Sequence, residues 1–312
     1  MGRDGVEYTI VIPVYNEEEN LEELCRRIEG VMAGQGTGYE VIFVNDGSTD
    51  SSIGQLTRLH QKNPCFTAID FSRNFGRQMA LTAGIDFARG AAVILMDGDL
   101  QHPPELIPEL IKKYKEGYNV VYTTREYSAA GGLWKKVTSA LFYRFAASLG
   151  ISLVPGATEF MLIDAAIVQR LRESRERFRF LRGIINWLGF KKAAIPYVAA
   201  PRYKGKTKFT FLRMVRLALD GIFSFSSAPL YIAGYVGLCM SFGAFVYAVY
   251  ALYISLIKKL AIPGWTSVML VLLLFGGIQL MSLGILGAYV GRIYEELKLR
   301  PLYVIKQKIG ME

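Results

Sequence analysis

Apolar and polar positions alternate in blocks along the first half of the chain, and the period of each block indicates a strand or a helix. Short runs rich in β-branched and aromatic residues predict strands at 8–14, 39–44, 66–71, 91–96 and 119–123. Between them, apolar residues at helical spacing predict helices at 17–32, 51–61, 75–88 and 104–116. This alternation predicts an α/β fold, with a mostly parallel sheet and helices on both faces.

Two long apolar runs follow, at residues 221–257 and 260–291, and neither contains a charged residue. Each is longer than the ~20 apolar residues that a membrane-spanning helix needs. We therefore expect two C-terminal transmembrane helices rather than two buried core helices. The positive mean hydropathy of +0.26 agrees, since the apolar excess is concentrated in these runs.

Basic residues around the two runs predict their orientation. Lys and Arg are frequent at 202–216 and 292–308, whereas the loop between the runs carries only Lys258 and Lys259. This distribution predicts that both termini lie in the cytoplasm, at the cytoplasmic (inner) membrane. The run at 9–14 is too short for a signal peptide. A membrane surface explains the net charge of +9, so we expect no nucleic acid partner.

These patterns predict a cytoplasmic domain at 1–208, an amphipathic interface helix at 209–227, two transmembrane helices at 228–291 and a cytoplasmic tail at 292–312. Residues 133–149 have a basic and aromatic pattern that is typical of a second interface helix or of a helix packed on the sheet. The three cysteines form no CxxC pair and indicate neither a zinc site nor a disulfide framework.

Polar motifs follow each predicted strand. In chain order they are YNEEEN, NDGSTD, SRNFG, DGDLQ and TTR. Because ligands of parallel sheets bind beyond the carboxyl ends of the strands, these motifs predict one site.

The DGDLQ motif offers oxygen ligands at alternate positions, Asp97, Asp99 and Gln101. An extended backbone would point all three side chains the same way. Such ligands suit Mg²⁺ or Mn²⁺, which also bind substrate phosphates. An acidic turn without a metal is the alternative. Pro103 and Pro104 are expected to end the strand and to open the next helix.

Other polar residues have two interpretations each. Asp46 is either a helix cap or an acceptor for the base or ribose of a nucleotide. Arg125, Arg202 and Lys208 are candidates for neutralising phosphate, and a solvated basic surface is the alternative.

Six segments together resemble the motifs of a known family: VIPVYNEEENL, VNDGSTD, SRNFGRQ, DGDLQHPPE, RYKGKTKF and GRIYEELKLRPLY. They resemble the family 2 glycosyltransferases of the GT-A (Rossmann-like) fold. Within that family the chain is similar to the polyprenyl-phosphate glycosyltransferases of the bactoprenol glucosyltransferase and dolichol-phosphate mannose synthase type. The resemblance implies inverting transfer of one sugar from a nucleotide-diphospho-sugar to a polyprenyl phosphate, with Mg²⁺ or Mn²⁺ as cofactor. On the same ground we take UDP-glucose as the donor and undecaprenyl phosphate as the lipid acceptor.

The resemblance also assigns residues by motif. The nucleotide pocket is expected to include Pro13, Tyr15, Glu17, Asp46, Asp97 and Arg125. The metal ligands are expected to be Asp97, Asp99 and Gln101. Arg202 and Lys208 are expected to contact the diphosphate or the acceptor phosphate. Asp99 and Glu159 are the expected catalytic residues, with Glu159 on the acceptor side.

Two positions depart from the family pattern. Members often read GDFRLMD where this chain reads TEFMLID at 158–164, so Glu159 replaces an Asp and Met161 replaces an Arg. Arg179 or Arg182 is a candidate to replace the missing guanidinium. In the closing motif, often GEYLGR, Ala288 replaces the acidic residue.

Several alternatives stay open from the sequence. They are transfer of mannose from GDP-mannose, an inactive membrane scaffold that binds lipid carriers or partner proteins, and assembly as a homo-oligomer. A processive synthase is disfavoured because the chain has no QxxRW motif.

Overall fold

The computed structural model describes residues 5–125, 156–198, 227–256 and 264–311. The predictions for Arg202, Lys208, the segment 133–149 and nearly all of 209–227 lie outside these residues. The chain divides into two compact units, one formed by Met1–Met214 with Arg300–Glu312 and the other by Val215–Leu299.

The first unit contains a single sheet. Its strands are β1 (Tyr8–Val14), β2 (Tyr39–Asn45), β3 (Phe66–Phe71), β4 (Ala92–Leu95), β5 (Val120–Arg125), β6 (Ala157–Asp164), β7 (Lys192–Tyr197) and β8 (Ile305–Ile309). They form an eight-stranded sheet in the order β7-β5-β6-β4-β1-β2-β3-β8. Strands β6 and β8 run antiparallel to their neighbours, and the other pairs are parallel.

The described helices of this unit are α1 (Leu21–Ala33), α2 (Ser52–Lys62), α3 (Arg77–Phe87), α4 (Ile107–Lys115), α5 (Ala165–Glu173) and α6 (Leu181–Trp187). Alternate residues of β1 show that helices cover both faces of the sheet. Ile10 and Ile12 pack in one apolar core with Leu24 of α1. Val11 points to the other face and packs on Gly84 of α3, where a Cβ atom would lie 2.1 Å from a Val11 methyl group. The predicted fold class, that of the GT-A fold, is confirmed.

The sequence pattern placed the early elements well. Strands β1 and β3 have the predicted bounds, whereas α1 begins at Leu21 rather than at residue 17. The intervening residues form a loop that bonds to the segment after β2. Strands β6, β7 and β8 and helices α5 and α6 were not predicted.

The second unit contains α7 (Ala228–Leu256) and α8 (Trp265–Leu297). Their most apolar stretches are Ala228–Tyr250 and Leu274–Leu297, with mean hydropathies of 1.8 and 1.5, and none of either is buried. A core helix of a soluble protein would be mostly buried, so two helices long and apolar enough to cross a membrane agree with the predicted spans.

The predicted tail is not uniform. Its first residues continue α8 to Leu297, and its last residues form β8, which pairs with the edge of the sheet along β3. The chain thus returns to the sheet of the first unit after the two apolar helices.

Candidate functional site

Six strands end at the same edge of the sheet, since β5 is antiparallel to β6, as β4 is, and β7 is parallel to β5. Strands β1, β2, β3 and β4 are parallel, so their carboxyl ends lie together, and we call this the carboxyl edge. Strand β6 is antiparallel to β4, so its first residues reach the same edge. Leu95 lies opposite Met161 in this pairing. The register therefore brings Asp97, just beyond β4, towards Glu159.

The loops after β1 and β2 are hydrogen-bonded to each other. Asn16 has a left-handed backbone, with φ of 55°. Its N–H donates to the Ser48 hydroxyl at 2.9 Å, and its side-chain oxygen accepts from the Thr49 N–H at 2.8 Å. The Glu17 carboxylate accepts from the Asn20 side chain at 2.6 Å. The Glu17 N–H donates to the Ser52 hydroxyl at 3.2 Å, which joins the loop after β1 to the segment that follows the NDGSTD motif.

Pro13 and Tyr15 lie on β1 and just after it. Pro13 has no N–H, and it lies where β4 no longer pairs with β1, because the last residue paired with β4 is Val11. Gly98 rests at this point, since a Cβ atom there would lie 3.5 Å from the Pro13 carbonyl oxygen. Tyr15 is exposed at the carboxyl edge, with 38 % of its surface accessible.

Asp46 is buried, and it bonds to the loop that follows β3. Its carboxylate accepts from the N–H of Phe75 at 2.6 Å and from that of Gly76 at 3.0 Å. Gly76 immediately precedes α3. Burial raises the pKa of the Asp46 carboxyl, although the two N–H donors act in the opposite direction. Asp46 therefore holds the loop at 72–76 rather than capping the helix that follows its own motif.

Gly47 makes that loop contact possible. Its φ is +64°, and a Cβ atom would lie 2.5 Å from the backbone carbon of Arg73 and 2.6 Å from the nitrogen of Asn74. A side chain would therefore clash with backbone as well as strain φ. The NDGSTD and SRNFG motifs consequently form one packed unit.

The segment 97–101, which we call the acidic turn, does not have the extended backbone expected from its alternation. Strand β4 ends at Leu95, and Leu100 has a φ of 60°. The N–H of Gln101 donates to Asp99 at 3.1 Å, which closes a tight turn around the carboxylate. The prediction that alternation aligns the three side chains was wrong, because the chain turns before it can alternate.

Arg77, the first residue of α3, contacts two carboxylates. Its Nε donates to Asp97 Oδ1 at 2.7 Å, and Nη2 lies 2.5 Å from the same oxygen. Its Nη1 forms an ion pair with Glu159. Gln78 donates to the other oxygen of Glu159 at 2.9 Å. One guanidinium thus joins the expected donor-side and acceptor-side carboxylates.

Arg125 and His102 support the acidic turn from either end. Arg125, at the end of β5, donates to the Gln101 side-chain oxygen at 3.2 Å. The His102 Nδ1 accepts from the backbone N–H of Asp97 at 3.0 Å, so its ring proton lies on Nε2. Its ring stacks on Phe160, with centroids 5.3 Å apart. Burial lowers the pKa of His102, so the imidazole is neutral and serves to hold the turn.

The acidic turn has suitable ligands for a divalent metal. Among the described residues, no three His, Cys, Asp or Glu side chains gather closely enough to form a metal site alone. Mg²⁺, however, is commonly held by one or two carboxylates, with the remaining ligands from substrate phosphates and water. The oxygens of Asp97, Asp99 and Gln101 meet that requirement.

The two arginines proposed to replace the missing guanidinium donate to main-chain carbonyl oxygens. Arg179 is buried and donates to the carbonyl oxygens of Leu171 at 2.8 Å and of Ser174 at 2.5 Å. Burial lowers the pKa of its guanidinium. Arg182 bonds to the Ala157 carbonyl oxygen. Met161, at the position of the usual Arg, is buried in β6.

Sequence reasoning did not assign a role to Arg77 or Gln78. Both belong to the SRNFGRQ motif, which was used only to support the family resemblance. A basic residue directly after a predicted strand-end loop was the available signal. The second carboxylate partner of Arg77 depends on the register of β4 with β6, and β6 was not predicted.

Comparisons with known proteins show the family to which the chain belongs. Residues 9–172 match the family described as Glycosyl transferase family 2. The uncharacterized glycosyltransferase YkcC of Bacillus subtilis (strain 168) is 44% identical over 308 residues, which are 98% of this chain and 95% of that protein. The prophage bactoprenol glucosyl transferase homolog of Escherichia coli (strain K12) is 36% identical, over 96% of this chain and 98% of that protein.

Among solved structures, the glucosyl-3-phosphoglycerate synthase of Mycobacterium tuberculosis, in complex with Mn²⁺, UDP and glucosyl-3-phosphoglycerate, matches with a TM-score of 0.48. The match has 17% identity and covers 71% of this chain and 80% of that one. The family match covers more than half of the chain and includes the loops at the carboxyl edge. This chain belongs to glycosyl transferase family 2.

Proposed function

We propose that this chain transfers a single glucose from UDP-glucose to polyprenyl phosphate at the cytoplasmic face of a membrane, with inversion of the anomeric centre. The observation that carries the proposal is the pairing of Asp97 and Glu159 through Arg77. It brings the acidic turn and the first residues of β6 to one place, where a donor and an acceptor would meet. Relatives named bactoprenol glucosyl transferase, such as that of Shigella phage SfII at 35% identity, support the choice of substrates.

On the donor side, the loops after β1 and β2 form the wall of the nucleotide pocket. Tyr15 is exposed there, and Glu17 and Asp46 hold the loops in place. The side chains of Asp97, Asp99 and Gln101 would bind Mg²⁺ or Mn²⁺ together with the diphosphate. A metal bound there supplies positive charge that offsets the charge developing on the leaving diphosphate.

On the acceptor side, no strong base is required. The second pKa of a phosphate monoester is about 6, so the lipid phosphate is largely ionised at neutral pH. Its oxygen attacks the anomeric carbon from the face opposite the diphosphate. Glu159 is held by Arg77 and Gln78 and therefore has a fixed position, which suits orienting the acceptor. Arg202 and Lys208 remain candidates for contacts to phosphate.

The lipid acceptor explains why a sugar transferase would carry two apolar helices. A polyprenyl chain cannot leave the bilayer, so the enzyme is anchored where its substrate is. Helices α7 and α8 would supply that anchor, with the first unit and both termini in the cytoplasm. Assembly as a homo-oligomer remains compatible with paired spans.

One assay tests the proposal. Full-length protein in detergent is incubated with undecaprenyl phosphate, Mg²⁺ and a panel of UDP- and GDP-sugars, and the lipid products are identified by mass spectrometry. We expect one glucosyl lipid from UDP-glucose, and its loss when the metal is chelated. If GDP-mannose is the only donor that gives a lipid product, the sugar is mannose and the assignment of glucose is wrong. No nucleotide release with any donor would contradict the enzyme and support a scaffold.

A further inference from the structure

The closing motif GRIYEELKLRPLY has no part in the transfer as described above, yet its last residue, Tyr303, contacts β3 and α3. The Tyr303 ring stacks on Phe71, with centroids 5.2 Å apart and ring planes 13° apart. Its hydroxyl donates to Asp86 Oδ2 at 2.7 Å. The next carbonyl oxygen, that of Val304, accepts from the Ser72 N–H at 3.0 Å. Three different interactions thus join 303–304 to the region around β3 and α3.

These contacts fall on the two elements that support the candidate site. Phe71 ends β3, and its ring packs edge-on against Phe75 at 5.6 Å. The N–H of Phe75 is the one that donates to Asp46 at 2.6 Å. Asp86 lies near the end of α3, and that helix begins at Arg77. Tyr303 therefore contacts the end of β3, which leads into the loop that Asp46 holds, and the helix that carries the bridging guanidinium.

The surrounding contacts show that the segment is fixed on the sheet rather than resting loosely on it. Asp86 Oδ2 also accepts from Arg175 at 2.7 Å, so the oxygen that accepts from Tyr303 has a second donor. Arg177 donates to the carbonyl oxygen of Arg300 at 2.6 Å. At the other end of β8, Gly310 packs closely on His60, and a Cβ atom there would lie 2.2 Å from the imidazole ring.

We propose that Tyr303 is a positioning residue for the donor site. Its stacking on Phe71 and its hydrogen bond to Asp86 keep the loop at 72–76 closed on Asp46 and keep Arg77 aligned with Asp97. The role of this loop in nucleotide-sugar binding rests on the proposed function, whereas the positioning of the loop does not. The C-terminal segment is thereby part of the site in spite of its distance along the sequence.

The test compares three variants of the full chain in detergent. Tyr303→Ala removes the stack and the hydrogen bond, Tyr303→Phe removes only the hydrogen bond, and Lys306→Ala is the control. Lys306 lies in β8, its side chain is 67% exposed, and its carboxylate partner Asp70 is 4.0 Å away. Two quantities are measured for each variant: amide hydrogen exchange at residues 72–77, and the affinity for UDP with Mg²⁺ by calorimetry.

For Tyr303→Ala we expect exchange at 72–77 to be about tenfold faster and UDP to bind about tenfold more weakly, as loss of a hydrogen bond to a charged group allows. Tyr303→Phe should give an intermediate change in both, and Lys306→Ala should match the wild type. Exchange in the α1 and α4 regions should not change. If Tyr303 only stabilised the fold as a whole, exchange would be faster throughout the first unit, and the rate at 72–77 relative to the rates in α1 and α4 would not change.

Unchanged exchange at 72–77 and unchanged UDP affinity in folded Tyr303→Ala would overturn the inference. If that variant does not fold, Tyr303→Leu keeps apolar volume without the stack or the hydroxyl and is judged by the same two measurements. If the wild type binds no UDP, the proposed donor is wrong, and the exchange data alone decide whether Tyr303 positions the loop. The two failures are therefore distinguishable.

Discussion

Two acidic motifs lie at the same edge of the sheet, and they differ in what satisfies their carboxylates. Asp46 is buried and is bonded to backbone N–H groups of the loop at 72–76. In the acidic turn, Asp97 is paired with the Arg77 side chain, and 28% of its side chain is exposed. Backbone partners are fixed by the fold. A side-chain partner can move when a ligand arrives.

The two carboxylates therefore contribute differently to one site: Asp46 shapes it, and the acidic turn is available to bind a ligand. Asp46 stabilises the shape of the carboxyl edge, and its own chain supplies the partners that it needs. The acidic turn presents oxygens whose present partners, Arg77 and Arg125, are cations of the kind that bind phosphates. Substitutions should therefore reduce activity without loss of stability in the acidic turn, and reduce both at Asp46.

Asp99→Ala is expected to have the largest effect on turnover. It removes a carboxylate that accepts from the Gln101 N–H, a bond within the acidic turn itself. We expect the rate of glucosyl transfer to fall by about a thousandfold or more, as for loss of a group that stabilises developing charge. The unfolding midpoint should be nearly unchanged. Glu109→Gln, an exposed carboxylate in the first turn of α4, is the matched control.

Full transfer activity in Asp99→Ala would contradict the metal assignment. A large fall in the unfolding midpoint would place Asp99 with Asp46, as a residue that shapes the edge.

Arg77→Met should have the next largest effect. It leaves Asp97 and Glu159 without the cation between them, and we expect kcat/KM to fall about a hundredfold, the range for losing charge-assisted hydrogen bonds in a reaction site. Arg77→Lys keeps the charge, but an ammonium cannot reproduce the fork that reaches both carboxylates. The lysine variant should therefore be impaired by about tenfold. Equal activity in Met and Lys variants would show that the positive charge is unimportant.

Asp46→Ala should lower stability and donor affinity together. It leaves the N–H groups of Phe75 and Gly76 without their acceptor, which costs about 1–3 kcal/mol of unfolding free energy. We expect UDP to bind about tenfold more weakly, since the loop at 72–76 is released. Asp46→Asn keeps one acceptor oxygen and should be milder. Loss of activity without loss of stability would instead indicate a direct contact with the nucleotide.

The pH dependence of stability at Asp46 has a defined sign. Burial raises the pKa of this carboxyl in the folded protein. A group with a raised pKa stabilises the fold below its ordinary pKa and loses that contribution as the pH rises through the folded value. The stability difference between the wild type and Asp46→Ala should therefore widen in acid.

The sequence predicted the parallel part of the fold because its signal is local. Strands β1 and β3 are apolar runs bounded by polar loops, and the helices between them show their own period. Strand β6 is inserted between β4 and β5, and strand β8 pairs with β3 after both apolar helices. Such pairings depend on contacts between distant parts of the chain, so the local pattern of apolar residues cannot predict them.

The candidate site shows the same limit. Asp97, Asp99 and Gln101 were found because their chemistry is concentrated in one motif. The bridge from Arg77 to Glu159 exists only because β4 and β6 pair in one register. The bond from the Asp97 N–H to His102 likewise depends on the turn that follows Leu95, which the sequence pattern did not predict.

Glu105→Gln should have the smallest effect, although Glu105 belongs to the same motif as Asp97 and Asp99. Its carboxylate pairs with Arg27 at 2.5 Å, on a surface where 53% of the Glu105 side chain is exposed. Exposed pairs contribute about 0–1 kcal/mol, so stability should fall by at most that amount and transfer activity should be unchanged.

The Arg27 guanidinium lowers the pKa of the Glu105 carboxyl, which is the opposite of the shift at Asp46. Its contribution is therefore present above the ordinary pKa of a glutamate and is lost as the pH falls through the folded value. Denaturant unfolding of Glu105→Gln should differ slightly from the wild type at neutral pH and converge with it in acid, whereas the difference at Asp46 widens. A loss of glucosyl transfer in Glu105→Gln would mean that charge throughout the motif serves the reaction, and that the division between shaping and binding residues at this edge is wrong.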